Sequence, residues 1–412
     1  MTYKGILMLI ATAFSFSPWL FGQEVSLSMG SDYNRQVFYS LNDDEEYFLL
    51  DEDWDLAFDT SPFGTTIRSN DGKGMKVYLY ANGDTADWSL IDTTGLSAWP
   101  VLYNSDTSWY TGAFNRSALD FDVGWGNYDP ITHQILGDSI YLISMPEGNW
   151  KKIWIEGLID GAFQFRYANL DGSDEVETAV AKSDFEGKLF GYFNLSDNET
   201  INPEPAVTSW DLAFTSYVAE VAPGAYYGVT GAFLHPMVQA ARVFPVADPG
   251  SLVDYESASF SQAMNVIGYD WKQFDLATYS YLMTDSLCYF VQGQSGDIWR
   301  IIFTTFEGSE TGNLSFEKEL LTAVDIEEND HMMIANVFPN PASDVLQVLF
   351  DVQSSNVGLI LYDNTGRIVR NASGWAQGFH VWQVNVSDLP SGMYTVLLND
   401  GSQQVRRQVI IQ

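Results

Sequence analysis

The pentapeptide Trp-Asp-Leu-Ala-Phe occurs twice in this chain, at Trp54–Phe58 and again at Trp210–Phe214. Further pairs of blocks follow in the same order. Val37–Leu41 parallels Gly191–Leu195 upstream, and Tyr128-Asp129-Pro130-Ile131-Thr132-His133 parallels Phe274-Asp275-Leu276-Ala277-Thr278-Tyr279 downstream. Asp138-Ser139-Ile140 matches Asp285-Ser286-Leu287, and Trp150–Trp154 matches Trp299–Phe303. Blocks recurring in one order mark a degenerate tandem duplication. The expected units are residues 24–182 and 183–321.

Within each unit the blocks read as strands. Ser139–Ser144 and Trp150–Glu156 are rich in Ile, Tyr and Trp and are separated by Pro146-Glu147-Gly148-Asn149; Leu287–Val291 and Asp297–Thr304 repeat that arrangement. Short apolar runs around a Gly-bearing turn are the sequence pattern of a hairpin. A sustained helical period is scarce, and Ser259–Ile267 is the best short helix candidate. The expected class is all-β, with long polar loops such as Asn82–Trp99.

Composition limits the partners. The 412 residues include 54 acidic and 19 basic side chains, for a net charge of −35. Phosphate recognition needs clustered Lys and Arg, so nucleic acid and anionic membranes are excluded as partners. Hydrophobic residues make up 46% of the chain, enough for sizeable cores rather than a disordered polymer. The single cysteine, Cys288, excludes a disulfide framework and a thiolate zinc site. It sits inside an apolar strand, which suits an inert buried thiol.

Residues 1–23 carry Lys4, an apolar stretch from Gly5 to about Phe16, and then Pro18 and Gly22. That order reads as a secretory signal peptide, too short and too interrupted to span a bilayer. Residues 322–335 read as a polar linker containing Glu327-Glu328-Asn329-Asp330. The segment 336–412 holds five acids and four arginines, so the negative charge lies almost wholly before it. Its short strand-like runs, with turns at Asp363–Gly366 and Asn399-Asp400-Gly401, predict a small immunoglobulin-like β-sandwich.

These terminal residues resemble the type A C-terminal sorting domain of the Bacteroidetes type IX secretion system. The resemblance rests on Asn336-Val337-Phe338-Pro339-Asn340-Pro341, on Leu361-Tyr362-Asp363 with Gly366 and Arg367, on Leu389-Pro390-Ser391-Gly392-Met393-Tyr394, and on Arg406–Ile411. It implies passage across the outer membrane by the secretion machinery and removal of the domain by a sorting protease. The cargo is then released or attached at the cell surface. The two units before the linker resemble the HmuY family of secreted Bacteroidetes proteins, through Val37–Leu41, the Trp-Asp-Leu-Ala-Phe motif with Thr66–Gly72, and the Tyr-Asp-x-x-Thr-His block. That resemblance implies an all-β fold and haem as a cofactor, held between His or Met side chains.

His133 occupies the family-like Thr-His position and is the haem-ligand candidate. Its counterpart in the other unit is Tyr279, and His235, Met145, Met237, Met264 and Met283 are conceivable second ligands. Haem propionates need cationic neighbours, of which the first unit offers Arg68 and Arg116. Asn169, Asp171, Ser173, Asp174 and Glu175 crowd oxygen ligands into one turn and form a candidate calcium site, without the full twelve-residue spacing. Between Asp43 and Asp55, eight acids in thirteen residues read chiefly as a solvated face. No catalytic motif is present. The functional expectation is a secreted or surface-attached, non-enzymatic binding protein for haem or another small ligand. The alternatives are a structural or adhesion protein, whose partners would include surface glycans, and last a carbohydrate-acting enzyme.

Overall fold

The structure is a computed structural model that describes residues 22–115, 121–322, 334–352, 357–364, 366–375, 378–399 and 404–412. The expected signal peptide therefore lies outside the described residues except for Gly22 and Gln23, and Gln23 already opens a strand. The described chain is all-β, with only short 3-10 turns between strands. Among the described residues no helix is long and apolar enough to cross a membrane. Ser259–Ile267 is not a helix. Tertiary pairing overrides its local period: Ser261 bridges Ala240, and the Met264 N–H reaches the Thr107 carbonyl.

The body before the linker contains two pairs of sheets with matching topology. In the first unit the outer sheet has seven strands: Val176–Ala181, Ala162–Asn169 and Trp150–Ile159 in order, the last pairing at one end with Ile140–Ser144, which continues to Lys76–Leu79, and at the other with the hairpin Gln134–Gly137 and Gly126–Asp129. Its inner sheet runs Glu199–Ile201, Phe190–Asn194, Leu56–Asp59, Ile67–Ser69. In the second unit the outer sheet runs Gln23–Ser28, Asn313–Thr322, Ile298–Phe306, Cys288–Gln292, Gln239–Val243. Its inner sheet runs Glu46–Leu50, Arg35–Tyr39, Leu212–Ala222, Ala225–Leu234. Apart from that hairpin, whose counterpart Lys272–Asp275 and Ser280–Met283 forms a separate two-stranded sheet, the two orders correspond position for position.

The expected boundary between residues 182 and 183 is not where the sheets divide. Phe190–Asn194 pairs with Leu56–Asp59, so the first unit runs unbroken from Leu56 to Ile201. Arg35–Tyr39 pairs with Leu212–Phe214, and Gln23–Ser28 pairs with Asn313–Lys318. The first three described strands thus complete the second unit, closing it across almost the whole body. Lys318 reinforces this closure. Its ammonium, 1% exposed, donates to the Leu41 carbonyl, pairs with Asp44, and lies 4.7 Å from the Trp299 ring centroid.

The two central strands of each inner sheet are apolar on both faces where they are buried on both faces. Leu56, Phe58, Phe193 and Leu195 join the first unit's core; Val37, Tyr39, Leu41, Leu212 and Phe214 join the second's. The remaining side chains, Trp54, Ala57, Phe190 and Tyr192 from one unit and Phe38, Trp210 and Ala213 from the other, form a shared cluster. The body is accordingly four layers deep, with an aromatic seam at its middle. Ala57 and Ala213 leave room for edge-to-face contacts such as Phe38–Trp210, with centroids 5.0 Å apart, and Trp54–Tyr192, at 5.1 Å.

The aspartate of each repeated motif ties its strand to the neighbour. Asp55 Oδ2 accepts the Leu195 N–H at 2.7 Å, and Asp211 Oδ2 accepts the Leu41 N–H at 2.8 Å. The counter-groups differ. Lys73 pairs with Asp55 at 2.5 Å and donates to the Trp54 carbonyl, whereas the Gln294 amide donates to the Trp210 carbonyl and its N–H to Asp211 Oδ1. His235 lies beneath Trp210, fully buried, with Nδ1 accepting the Met237 N–H at 3.0 Å. Burial pushes its imidazole down to about 3.

Two outcomes are expected. Asp55→Ala strands a half-buried ammonium and should cost about 3 kcal/mol in urea unfolding, while Asp211→Ala, which leaves two N–H groups unpaired, should cost about 2 kcal/mol. His235 is neutral when folded and takes up a proton on unfolding below pH ~6.5, so its contribution is full above that pH and is lost as pH falls towards 3. Stability measured between pH ~6.5 and ~5 should drop by up to roughly 1.4 kcal/mol per unit more in wild type than in His235→Gln.

Candidate functional site

The terminal domain is a sandwich of a three-stranded sheet (Ile334–Phe338, Val345–Val352, Gly378–Asn385) and a four-stranded sheet ordered Ile368–Trp375, Val357–Tyr362, Gly392–Asn399, Gln404–Ile411. Leu346, Val348, Phe350, Leu359, Leu361, Val396 and Val409 fill its core. The motif residues gather at its corners. Between Pro339 and Pro341, Asn340 accepts the Ile410 N–H at 2.8 Å and donates to the Gln408 carbonyl at 3.2 Å, while the Ala342 N–H donates to the Ile410 carbonyl. This motif therefore clamps the last strand of the chain. Gly366 takes φ of +82°, which a side chain would resist, and so completes the turn in which Arg367 Nε pairs with Asp363 Oδ2 at 3.0 Å. Gly392 opens the strand opposite Ile411, and the Tyr394 hydroxyl donates to the Pro390 carbonyl at 2.7 Å, fixing that corner.

Three of the motif blocks meet at one groove. A cleft of about 470 Å³ brings Gly366 and Asp363 together with Met393, Thr395 and Arg406 on the face of the four-stranded sheet. The sequence did not single out Arg406 and Thr395 as neighbours of the Gly366 turn. The signal available was the alternation in the last strand, where Arg406, Gln408 and Ile410 point outward and Val409 and Ile411 inward. A larger cleft, about 870 Å³, lies between this domain and the body; Ser105, Gln239 and Gln292 line one side, Asn340, Gln347 and Arg407 the other.

The structure places His133 at the tip of a hairpin between Gly126–Asp129 and Gln134–Gly137, exposed and at φ of +58°. Its Nδ1 lies 2.7 Å from the Tyr128 hydroxyl. Tyr279 takes the same conformation at the tip of the matching hairpin, so the Thr-His block is turn chemistry: Asp129 and Asp275 each accept the N–H two residues on. His133 is not enclosed in an apolar pocket of the kind haem ligation requires. The proposed second ligands are not beside it: His235, Met237 and Met264 are buried at the seam and Met145 in the first core. Met283 packs against the second core. Arg68 spends its guanidinium on the Ser105, Ser108 and Trp109 carbonyls, and Arg116 lies outside the described residues.

The candidate calcium loop satisfies itself. Asp171 Oδ1 accepts from the Ser173 N–H and hydroxyl, Asp174 Oδ2 accepts from the Asn169 amide, and Lys151 donates to Asn169 Oδ1. Glu175 is taken by Trp88 Nε1 and Arg166. Two cations, Lys151 and Arg166, stand beside these oxygens. Among the described residues no group of three or more His, Cys, Asp or Glu could hold a metal. The acidic run from Asp43 to Asp55 is divided: Asp44 pairs with Lys318 and Asp55 with Lys73, while Asp43, Glu45 and Glu46 face solvent.

Other buried ionisable groups hold the structure. Glu204, 2% exposed, accepts the Leu189 and Phe190 N–H groups, and burial raises its carboxyl to about 7. Burial lowers Lys182 to about 8, and its ammonium donates to the Ser61 and Gly64 carbonyls at 2.6 Å. Neither group is open to a substrate.

Comparison with known proteins separates the parts of the chain. No curated protein matches it. A solved structure described as "Biofilm associated protein - BSP domain" aligns with 8% identity and a TM-score of 0.18, covering 100% of this chain and 84% of that one, a likeness too low to carry an argument. One protein family, described as "Secretion system C-terminal sorting domain", matches residues 336–412. The HmuY-like reading of the two units has no such match in its support. Residues 336–412 are a secretion system C-terminal sorting domain, and they mark the chain for the cell surface or for release.

Proposed function

We propose that the chain is a non-enzymatic surface or secreted protein. In this reading the signal peptide at 1–23 takes it across the inner membrane, the type IX machinery reads residues 336–412, and the two-unit body serves outside the cell as an adhesive or binding scaffold. The observation that carries it is the sorting domain, complete in its Asn340 clamp, Gly366 turn and Tyr394 corner. The body supports the same reading, because Asp55, Asp211, Lys182 and Glu204 are engaged in holding strands and turns.

Within this reading, adhesion is favoured over haem binding. The two matching hairpins display apolar side chains to solvent at equivalent tips, with Ile131 87% exposed and Leu276 75%. His133, by contrast, lies open at a turn. Titration of haemin into the full chain is expected to give no saturable Soret shift that His133→Ala abolishes; such a shift would restore the haem reading. Binding to cells or surface glycans should weaken in an Ile131→Ser/Leu276→Ser variant, and unchanged binding would count against the hairpin tips.

The export arm is tested separately. Asn340→Ala removes two hydrogen bonds to the last strand and should destabilise the sorting domain by about 1–3 kcal/mol. A reporter fused to residues 336–412 should then accumulate in the periplasm of a competent host, whereas the unmodified fusion reaches the surface or medium.

A further inference from the structure

The sorting domain spends one of its two sheets on the body. In Val345–Val352 and Gly378–Asn385, Leu346, Val348, Phe350, Trp382 and Val384 point into the domain's own core. Leu349 and Val381 have the opposite parity and sit directly across from each other. On an isolated sandwich this pair would face water. Instead Leu349 is 0% and Val381 1% exposed, and both belong to the cluster formed by Trp109, Tyr110, Leu189 and Phe190 at the seam between the two units. Phe338 stacks on Tyr110 with centroids 5.5 Å apart and planes inclined by 24°, and Phe63 meets the edge of Trp375 at the rim. The contacts described across this face are apolar and aromatic.

We propose that the sorting domain is held on the body by this face itself, as a removable cover, and not merely tethered by the chain between them. It remains bound after residues 323–333 are cut. Its departure uncovers an apolar surface centred on Tyr110, shaped for a sheet face that presents two adjacent aliphatic side chains beside an aromatic ring. One further consequence concerns the machinery. While the cover is seated, the sorting domain face open to it is the four-stranded sheet with the Gly366–Met393–Arg406 groove. This proposal depends on the identity of residues 336–412 and not on the adhesive reading of the body.

The test uses the full chain carrying a specific protease site within residues 323–333. After cutting, the two pieces should co-elute in size exclusion at micromolar concentration, and equally at ~0.1 M and ~1 M salt, because an apolar contact is not screened. Leu349→Asp/Val381→Asp places charge on the contact face and leaves the sorting core untouched; it should weaken association by at least about thirtyfold and separate the pieces. On the body side, Tyr110→Ala should weaken it about tenfold and raise binding of an apolar dye to the separated body. Wild-type pieces that part on cutting would overturn the proposal. So would pieces that stay together in both variants.

Discussion

The architecture depends on the burial of four inner strands on both faces. Leu56–Asp59, Phe190–Asn194, Arg35–Tyr39 and the start of Leu212–Ala222 each present one set of side chains to their own unit's core and the other to the common seam. Each large side chain so buried contributes on the order of 2 kcal/mol, and the seam gathers several aromatics at once. Such strands have no polar face, so the backbone and the few charges among them must be satisfied internally. Asp55 and Asp211 meet that need by accepting N–H groups from Leu195 and Leu41. The recurring Trp-Asp-Leu-Ala-Phe is therefore a packing device: Leu and Phe for a core, Trp and Ala for the seam, Asp for the neighbouring strand.

The seam also links the two functional parts of the molecule. The cluster that joins the units extends through Trp109 and Tyr110 to Phe338, Leu349 and Val381 of the sorting domain. Delivery signal and cargo thus share one apolar surface, although the charge of the chain is concentrated in the cargo. The buried ionisable groups sit where strands and turns need donors and acceptors, and their shifted acidities follow from desolvation.

Much of this was legible in the residues, and the limits have physical causes. Hairpin turns around Gly148 and Gly296, the strands flanking them and the motif-bearing corners of the sorting domain are local features, and local chemistry reports them. The phase of the duplication is not local. Gly191–Leu195 precedes Trp210 by nearly the spacing that separates Val37–Leu41 from Trp54, yet each of these strands pairs with the other copy's motif. Side-chain alternation assigns a strand's faces without naming its partner, and strands buried on both sides lose even the alternation. The helical spacing in Ser259–Ile267 was overridden by pairing with Ala240 and Thr107 for the same reason. His133 carried a ligand's residue type, but its place at a left-handed turn position depends on a hairpin geometry shared with Tyr279.

A crosslink probes the closure of the second unit by Gln23–Ser28. Ser26 and Ser315 are register partners with hydroxyls 2.9 Å apart, and Cys288, the chain's single cysteine, is buried and free. In Ser26→Cys/Ser315→Cys the new thiols should form a disulfide under mild oxidation in the folded protein, adding up to about 5 kcal/mol by closing so long a loop. Thiols that stay reduced in the native state, or that pair only after unfolding, would contradict the account.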